Sequence, residues 1–278
     1  MKAWEKDLPR AQWNTFKKIH QSQPWFEVVE VLPKIYAIYE PYQFQEVISY
    51  LIIGEQKALL WDSGTGIADM RLLINELTEK EVMVLNSHCH FDHIGGNHLF
   101  SDVVVFDHPD MISIMEHGVS QKLLDEQLGM DTYSDNSPVA YHKVIHRRCN
   151  YHLCKENDVF DLGRRRWKVI HTPGHSADSI MLVNEEEKVL MTGDSYYPAT
   201  LYCFDESLFD EYVSTMRTCA NQYSEYVLLT SHNEPKRDGL ELKEAACFLE
   251  MIQKGELPFE KKNDLKYYEW KNYSILKK

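Results

Sequence analysis

Short apolar runs, each closed by a polar or turn-forming residue, recur along the chain at lengths that suit strands. KIYAIYE at 34–40 and EVISYLII at 46–53 flank the turn at 41–45 as a strand pair, and KALLW at 57–61 adds a third. Over 67–77 the period changes: Ile67, Met70, Ile74 and Leu77 fall at helical spacing before VMVL at 82–85 returns to strand character. VVVF at 103–106, WKVI at 167–170, IMLV at 180–183, KVLM at 188–191 and YVLL at 226–229 continue the strand series, and amphipathic helices are predicted over 206–220 and 240–253. This order predicts an α/β chain of two similar halves, with helices covering sheets on their outer faces.

Residues 107–152 interrupt the pattern. They hold helices near 109–117 and 119–128 followed by the polar DTYSDNSP, and read as a helical insertion or cap within a single domain spanning 1–278. The final stretch, KKNDLKYYEWKNYSILKK, mixes lysines with aromatics and has no clear period. It reads as a tail packed on the surface, or as an edge facing substrate or a second copy of the chain.

Charge narrows the partners. With 30 basic and 43 acidic residues the chain carries a net charge of −13, which repels phosphate backbones and anionic membranes unless positive charge is clustered. Nucleic acid and membrane are therefore not expected as partners, and a small-molecule substrate is. No segment approaches the ~18 apolar residues of a membrane span, and the first residues lack a signal peptide's apolar core, so a cytoplasmic protein is expected. Six cysteines without a disulfide-framework spacing read as reduced thiols. Cys149 and Cys154 lie close to His146 and His152, which suits a small zinc site or ordinary loop residues.

The most concentrated chemistry is HCHFDH at 88–93, directly after VMVL: His88, His90, Asp92 and His93 are all donors that zinc accepts. In an extended loop His88, His90 and Asp92 project to one side, Cys89 and Phe91 turn to the core, and His93 reaches the same cavity where the chain turns at Gly95-Gly96. Taking His and Asp at about one residue in twenty, four fixed matches arise by chance on the order of 10⁻⁵ per starting point. Three more apolar runs end at potential ligands: WKVI before HTPGH with His175, KVLM before TGD with Asp194, and YVLL before TSH with His232. Ligands at the carboxyl ends of strands can converge on one crevice.

On Asp62 in WDSG, the HCHFDH run, HTPGH, TGD and the final SH, the chain resembles the metallo-β-lactamase superfamily over roughly residues 30–235. The resemblance implies a four-layered αββα sandwich of two similar halves. It also implies a dinuclear centre in which His88, His90 and His175 bind one metal, Asp92, His93 and His232 the other, and Asp194 bridges them. Asp62 would hold a ligand histidine through its ring N–H, against the plainer reading of a turn aspartate. His171 reads as structural, since the ligand positions are filled without it. Two divalent ions are implied, zinc first, with iron or manganese also compatible with N/O ligands.

The implied reaction is hydrolysis, with a metal-bridging hydroxide attacking a carbonyl and Asp92 able to orient it. Tyr197 in GDSYYP resembles the tyrosine that N-acyl homoserine lactonases place over the substrate carbonyl, although Tyr196 and Tyr202 lie near enough to compete. True β-lactamases commonly carry cysteine or serine where this chain has Asp194, which disfavours lactams. The pattern is closest to lactonases and glyoxalase II-like members. Trp25-Phe26 and Tyr42-Gln43-Phe44 suggest an apolar cover, so lactone or carboxylic-ester hydrolysis leads, thioester hydrolysis is the alternative, and a non-catalytic metal-binding protein is less favoured. Homo-oligomerisation is compatible with the sequence.

Overall fold

The computed structural model describes residues 2–278, which divide into two compact units: one of 2–154 with 160–166, the other of 155–159 with 167–278. The mixed α/β class expected from the sequence holds.

In the first unit the spatial order of strands follows the chain. The sheet runs from Lys17–Lys18 through Glu27–Leu32, Ile35–Tyr39, Ile48–Ile53, Ala58–Trp61, Val82–Leu85 and Val103–Phe106 to His152–Cys154. Neighbours are antiparallel up to Ala58–Trp61 and parallel beyond it, where crossovers replace hairpins. The central strands are apolar on both faces, as Ile48–Ile53 and Ala58–Trp61 show, because they are buried on both. The predicted helix starts at Met70, with Asp69 accepting from the Leu72 N–H at 3.1 Å as its N-cap; Ile67 precedes it but still joins the core. In the 107–152 stretch, helices form at Pro109–His117 and Gln121–Gln127, Tyr133 pairs with Gln43 in an isolated bridge, and Met111, Met115, Leu124 and Leu128 pack into the unit's core.

In the second unit a sheet runs in the order Lys236–Asp238, Val227–Leu229, Val189–Met191, Ile180–Asn184, Arg166–His171. The helices Phe209–Tyr223 and Glu241–Gln253 bury Val213, Met216, Phe248 and Leu249 in one core with Met181, Leu190 and Leu228. The C-terminal stretch departs from the aperiodic tail expected of it. It forms the strands Glu260–Lys262, Leu265–Trp270 and Tyr273–Lys277, the last pairing in parallel with Thr200–Cys203. Among the described residues, no helix is long and apolar enough to cross a membrane.

One sequence expectation is corrected. Trp25 and Phe26 are core residues of the first unit, not a cover: Trp25 is fully buried and its indole N–H donates to the Glu40 carboxylate at 2.7 Å. Cys149 and Cys154 belong to no cluster of metal donors among the described residues.

Candidate metal centre

In the first unit, Val82–Leu85 delivers the chain to Asn86, Ser87 and His88, and the loop does not stay extended. His90 caps a single helical turn, Phe91–Ile94, which swings Asp92 and His93 round together, while Cys89 and Phe91 pack against the core as the alternation predicted. The His88 ring lies 4.5 Å from that of His90 and 4.2 Å from that of His93, centroid to centroid. His93 Nε2 and Asp92 Oδ2 are 3.7 Å apart, close to the roughly 3.3 Å that separates two donors sharing a tetrahedral zinc with bonds near 2.0–2.1 Å.

Asp62 fixes the orientation of this group. Its Oδ1 accepts the Ser87 N–H at 2.7 Å, and its Oδ2 accepts the Ser87 hydroxyl at 2.8 Å and the His93 Nδ1–H at 2.8 Å. Because the Ser87 hydroxyl is spent as a donor, its oxygen accepts from His88 Nδ1 at 2.9 Å. Both imidazoles are thereby held as Nδ1–H tautomers with Nε2 as the metal-binding nitrogen, and one buried carboxylate sets both. The His93 carbonyl is clamped in turn by the Ser63 N–H at 2.8 Å and the Asn86 amide at 2.9 Å. Asp62 has φ +62°, an αL conformation that Asp tolerates better than most residues.

In the second unit, Arg166–His171 leads into the turn that carries His175. His171 takes no metal-facing role: its Nε2–H donates to the Ala177 carbonyl at 2.8 Å and braces that turn, as the structural reading expected. His175 Nδ1–H donates to the Tyr202 carbonyl at 3.1 Å, and its Nε2 stands 3.5 Å from Asp194 Oδ2. His232 Nε2 stands 3.1 Å from Asp194 Oδ1, so Asp194 has an imidazole nitrogen on either side. The expected ligands other than His90 are buried. Removing that many imidazoles and carboxylates from water is costly unless they share a partner, and the donor set fits a divalent ion of the zinc, iron or manganese kind.

Three tyrosines competed in the sequence. Tyr196 donates to Glu241 at 2.5 Å. The Tyr197 ring lies tilted beside that of His232, centroids 4.9 Å apart, but its hydroxyl donates to the Thr200 carbonyl at 2.8 Å. Tyr202 is half-buried, and its hydroxyl makes no hydrogen bond among the described residues. Burial, with the Asp194 carboxylate adding to it, holds its phenol above its ordinary pKa and therefore protonated at neutral pH.

Sequence reasoning missed two scaffold residues. Glu40, fully buried, accepts from Trp25, the Thr65 N–H at 3.0 Å and the Thr65 hydroxyl, pinning the loop that begins at Asp62. Tyr212 lies against Gly174 (φ +152°), where an added Cβ would meet its ring at 2.4 Å, and donates to the Ser195 carbonyl at 2.7 Å. One side chain thus braces the turns bearing His175 and Asp194. A Tyr in a helical run carries no sequence mark of such a task; the only signal was Gly174 before a ligand.

A model of the metallo-beta-lactamase superfamily matches residues 45–232. An acyl-coenzyme A thioesterase from Gallus gallus is 27% identical over 163 residues, 55% of this chain and 58% of the relative. Its Homo sapiens counterpart is 25% identical over 189 residues, 60% of this chain and 64% of the relative, so the chain spans less than two thirds of the length of both. A probable metallo-hydrolase of Streptococcus pyogenes is 27% identical, over 64% of this chain and 76% of its own. Among solved structures, a metallo-beta-lactamase family protein from Thermus thermophilus superposes with a TM-score of 0.62 at 20% identity, covering 82% of this chain and 83% of that one. An archaeal superfamily protein from Sulfolobus tokodaii gives 0.56 at 18% identity, over 82% and 89%. At these identities the structural likeness shows the fold.

Proposed function

The chain belongs to the metallo-beta-lactamase superfamily, and from that premise we propose that it is a metal-dependent hydrolase of acyl thioesters, cleaving an acyl-coenzyme A to a carboxylic acid and a thiol. The observation that carries the reading is the pair of buried histidine–carboxylate clusters, one in each unit, whose imidazoles are turned Nε2-outward by Asp62, Ser87 and the Tyr202 carbonyl. The relatives named as acyl-coenzyme A thioesterases favour a thioester over the lactone or carboxylic ester that led on sequence alone.

In this proposal His88, His90 and His175 would hold one divalent ion, Asp92, His93 and His232 a second, and Asp194 would serve both. Zinc suits the donors best. Such ions, when bound, acidify water and polarise a carbonyl oxygen. The chain's own residues do the rest. Asp62 and Ser87 keep the imidazole tautomers, burial excludes bulk water, and Tyr202, protonated and with its hydroxyl uncommitted, donates a hydrogen bond to the oxygen that gains charge as the acyl carbon is attacked. Asp92 orients the attacking water.

The lactone and ester reading keeps one specific support, the aspartate rather than cysteine or serine at 194. A panel of acyl-coenzyme A, lactone, aryl ester and β-lactam substrates on zinc- and manganese-loaded protein separates them. Acyl-coenzyme A should be turned over fastest, with activity lost on chelation and in Asp194→Ala. Preference for the lactone would transfer the assignment to the second reading; turnover that survives chelation would sink both.

A further inference from the structure

In a chain with 13 more acidic than basic residues, cations at the surface mostly find carboxylates: exposed Lys143 meets Asp125 at 2.9 Å, exposed Arg217 meets Glu250 at 2.6 Å, and half-buried Arg237 meets Glu234 and Glu241. Arg10 is held by Glu46 and Arg71 lies over the Phe100 ring. The neighbouring pair Arg147 and Arg148 differs. Both are exposed, and among the described residues neither has a carboxylate or a hydrogen-bond partner. Arg148 lines an open cleft of about 500 Å³ in the first unit together with Met115, Glu116, Cys149, Asn150 and Tyr151. Half-buried His146 packs over Gly118 at the end of the helix Pro109–His117, and His98, on the turn that follows His93, lies within the electrostatic reach of Arg147. Glu116 is the one carboxylate on the cleft's lining.

An exposed guanidinium left unpaired in an acidic protein offers a planar fork of donors that matches a phosphate, and two of them in sequence offer sites for more than one. Polar Asn150 and the flat ring of Tyr151 add a hydrogen-bonding edge and a stacking face. We propose that Arg148, on the lining of the cleft between the helix Pro109–His117 and residues 148–151, and its exposed chain neighbour Arg147 recognise the phosphate-bearing carrier end of an acyl-coenzyme A, a role that rests on the thioesterase reading. The site lies in the stretch read from sequence as a cap. Its function is recognition of the leaving group's far end, away from the reacting carbonyl.

The test has two arms. In the first, binding of free coenzyme A and of inorganic phosphate is measured by calorimetry on the wild type and on Arg147→Ala/Arg148→Ala. Coenzyme A should bind about tenfold more weakly to the double variant, the fold-change of one or two lost charge-assisted bonds, and its binding to the wild type should weaken as salt rises. Glu116→Gln should tighten it. In the second arm, the metal-loaded protein is given an acyl-coenzyme A and the N-acetylcysteamine thioester of the same acyl chain. The double variant should raise KM about tenfold for the first with kcat held, and leave the second unchanged.

Equal coenzyme A affinity in wild type and double variant overturns the site. So does a loss of activity that falls equally on both thioesters, and phosphate binding as tight as that of coenzyme A would mark a site for the free anion instead. If neither thioester is hydrolysed by the wild type, the thioesterase reading fails, and the calorimetric arm still decides whether the arginine pair binds the carrier.

Discussion

A single carboxylate, Asp62, fixes two imidazoles at once, directly on His93 and through Ser87 on His88. Replacing it by Asn keeps size and the αL backbone, which Asn tolerates, but turns an amide N–H towards groups that are themselves donors. Asp62→Asn should weaken metal binding about 10–100-fold, read by titration against a chelator, while the fold survives by circular dichroism. Affinity equal to the wild type would remove the tautomer argument. The tyrosines give a second test. The Tyr197 hydroxyl already donates to a carbonyl, whereas that of Tyr202 is uncommitted. Tyr202→Phe should lower kcat by about 10²-fold, the scale of a lost oxyanion donor. Tyr197→Phe should cost about 1 kcal/mol of stability and change kcat only a few-fold. The reverse ranking would restore the role that spacing in GDSYYP first suggested.

Among the elements, the helix Phe209–Tyr223 does more than cover a sheet. Through Tyr212 it holds two ligand turns, one by ring contact at Gly174 and one by the bond to the Ser195 carbonyl. Tyr212→Phe keeps the ring and strands that buried carbonyl, so it should destabilise the protein by about 1–3 kcal/mol in urea unfolding and reduce activity alongside. Unchanged stability would show that the turns hold themselves. The strand ends bearing His88, His175, Asp194 and His232 were legible because an apolar run closed by a ligand is a local pattern. The Asp62–Ser87–His88 relay and the Tyr212 brace were not, since each joins residues that only the tertiary fold brings together. The C-terminal sheet was hidden for another reason. In Tyr273–Lys277 every second residue is buried, but the last of these is Lys277, which lies over the Phe209 ring at 4.4 Å and reaches Glu206 at 3.4 Å. A lysine at a buried strand position erases the alternation a reader looks for. The single turn Phe91–Ile94 was likewise unreadable, because the four residues Phe-Asp-His-Ile are too short a run to show a helical period.

For the molecule as a whole, the proposed centre makes a claim about stability that activity cannot test. A ligand that binds only the folded chain stabilises it by RT ln(1 + [L]/Kd), about 2.7 kcal/mol at a hundredfold excess over Kd. Zinc should therefore raise the melting temperature of chelator-treated protein, and chelation should lower it again. The proposal assigns donors from both units to the ions, so the size of that rise in variants tests whether an ion is shared. His88→Ala removes a donor from the first unit and His175→Ala one from the second, both assigned to the same ion. If each single variant loses most of that ion's increment, the double variant should lose little more, because the interaction was already gone after the first substitution. Independent sites in the two units predict the opposite, two losses that add. Additive loss of the zinc-dependent shift in calorimetry would dissolve the shared centre into two separate histidine sites and take the dinuclear mechanism with it.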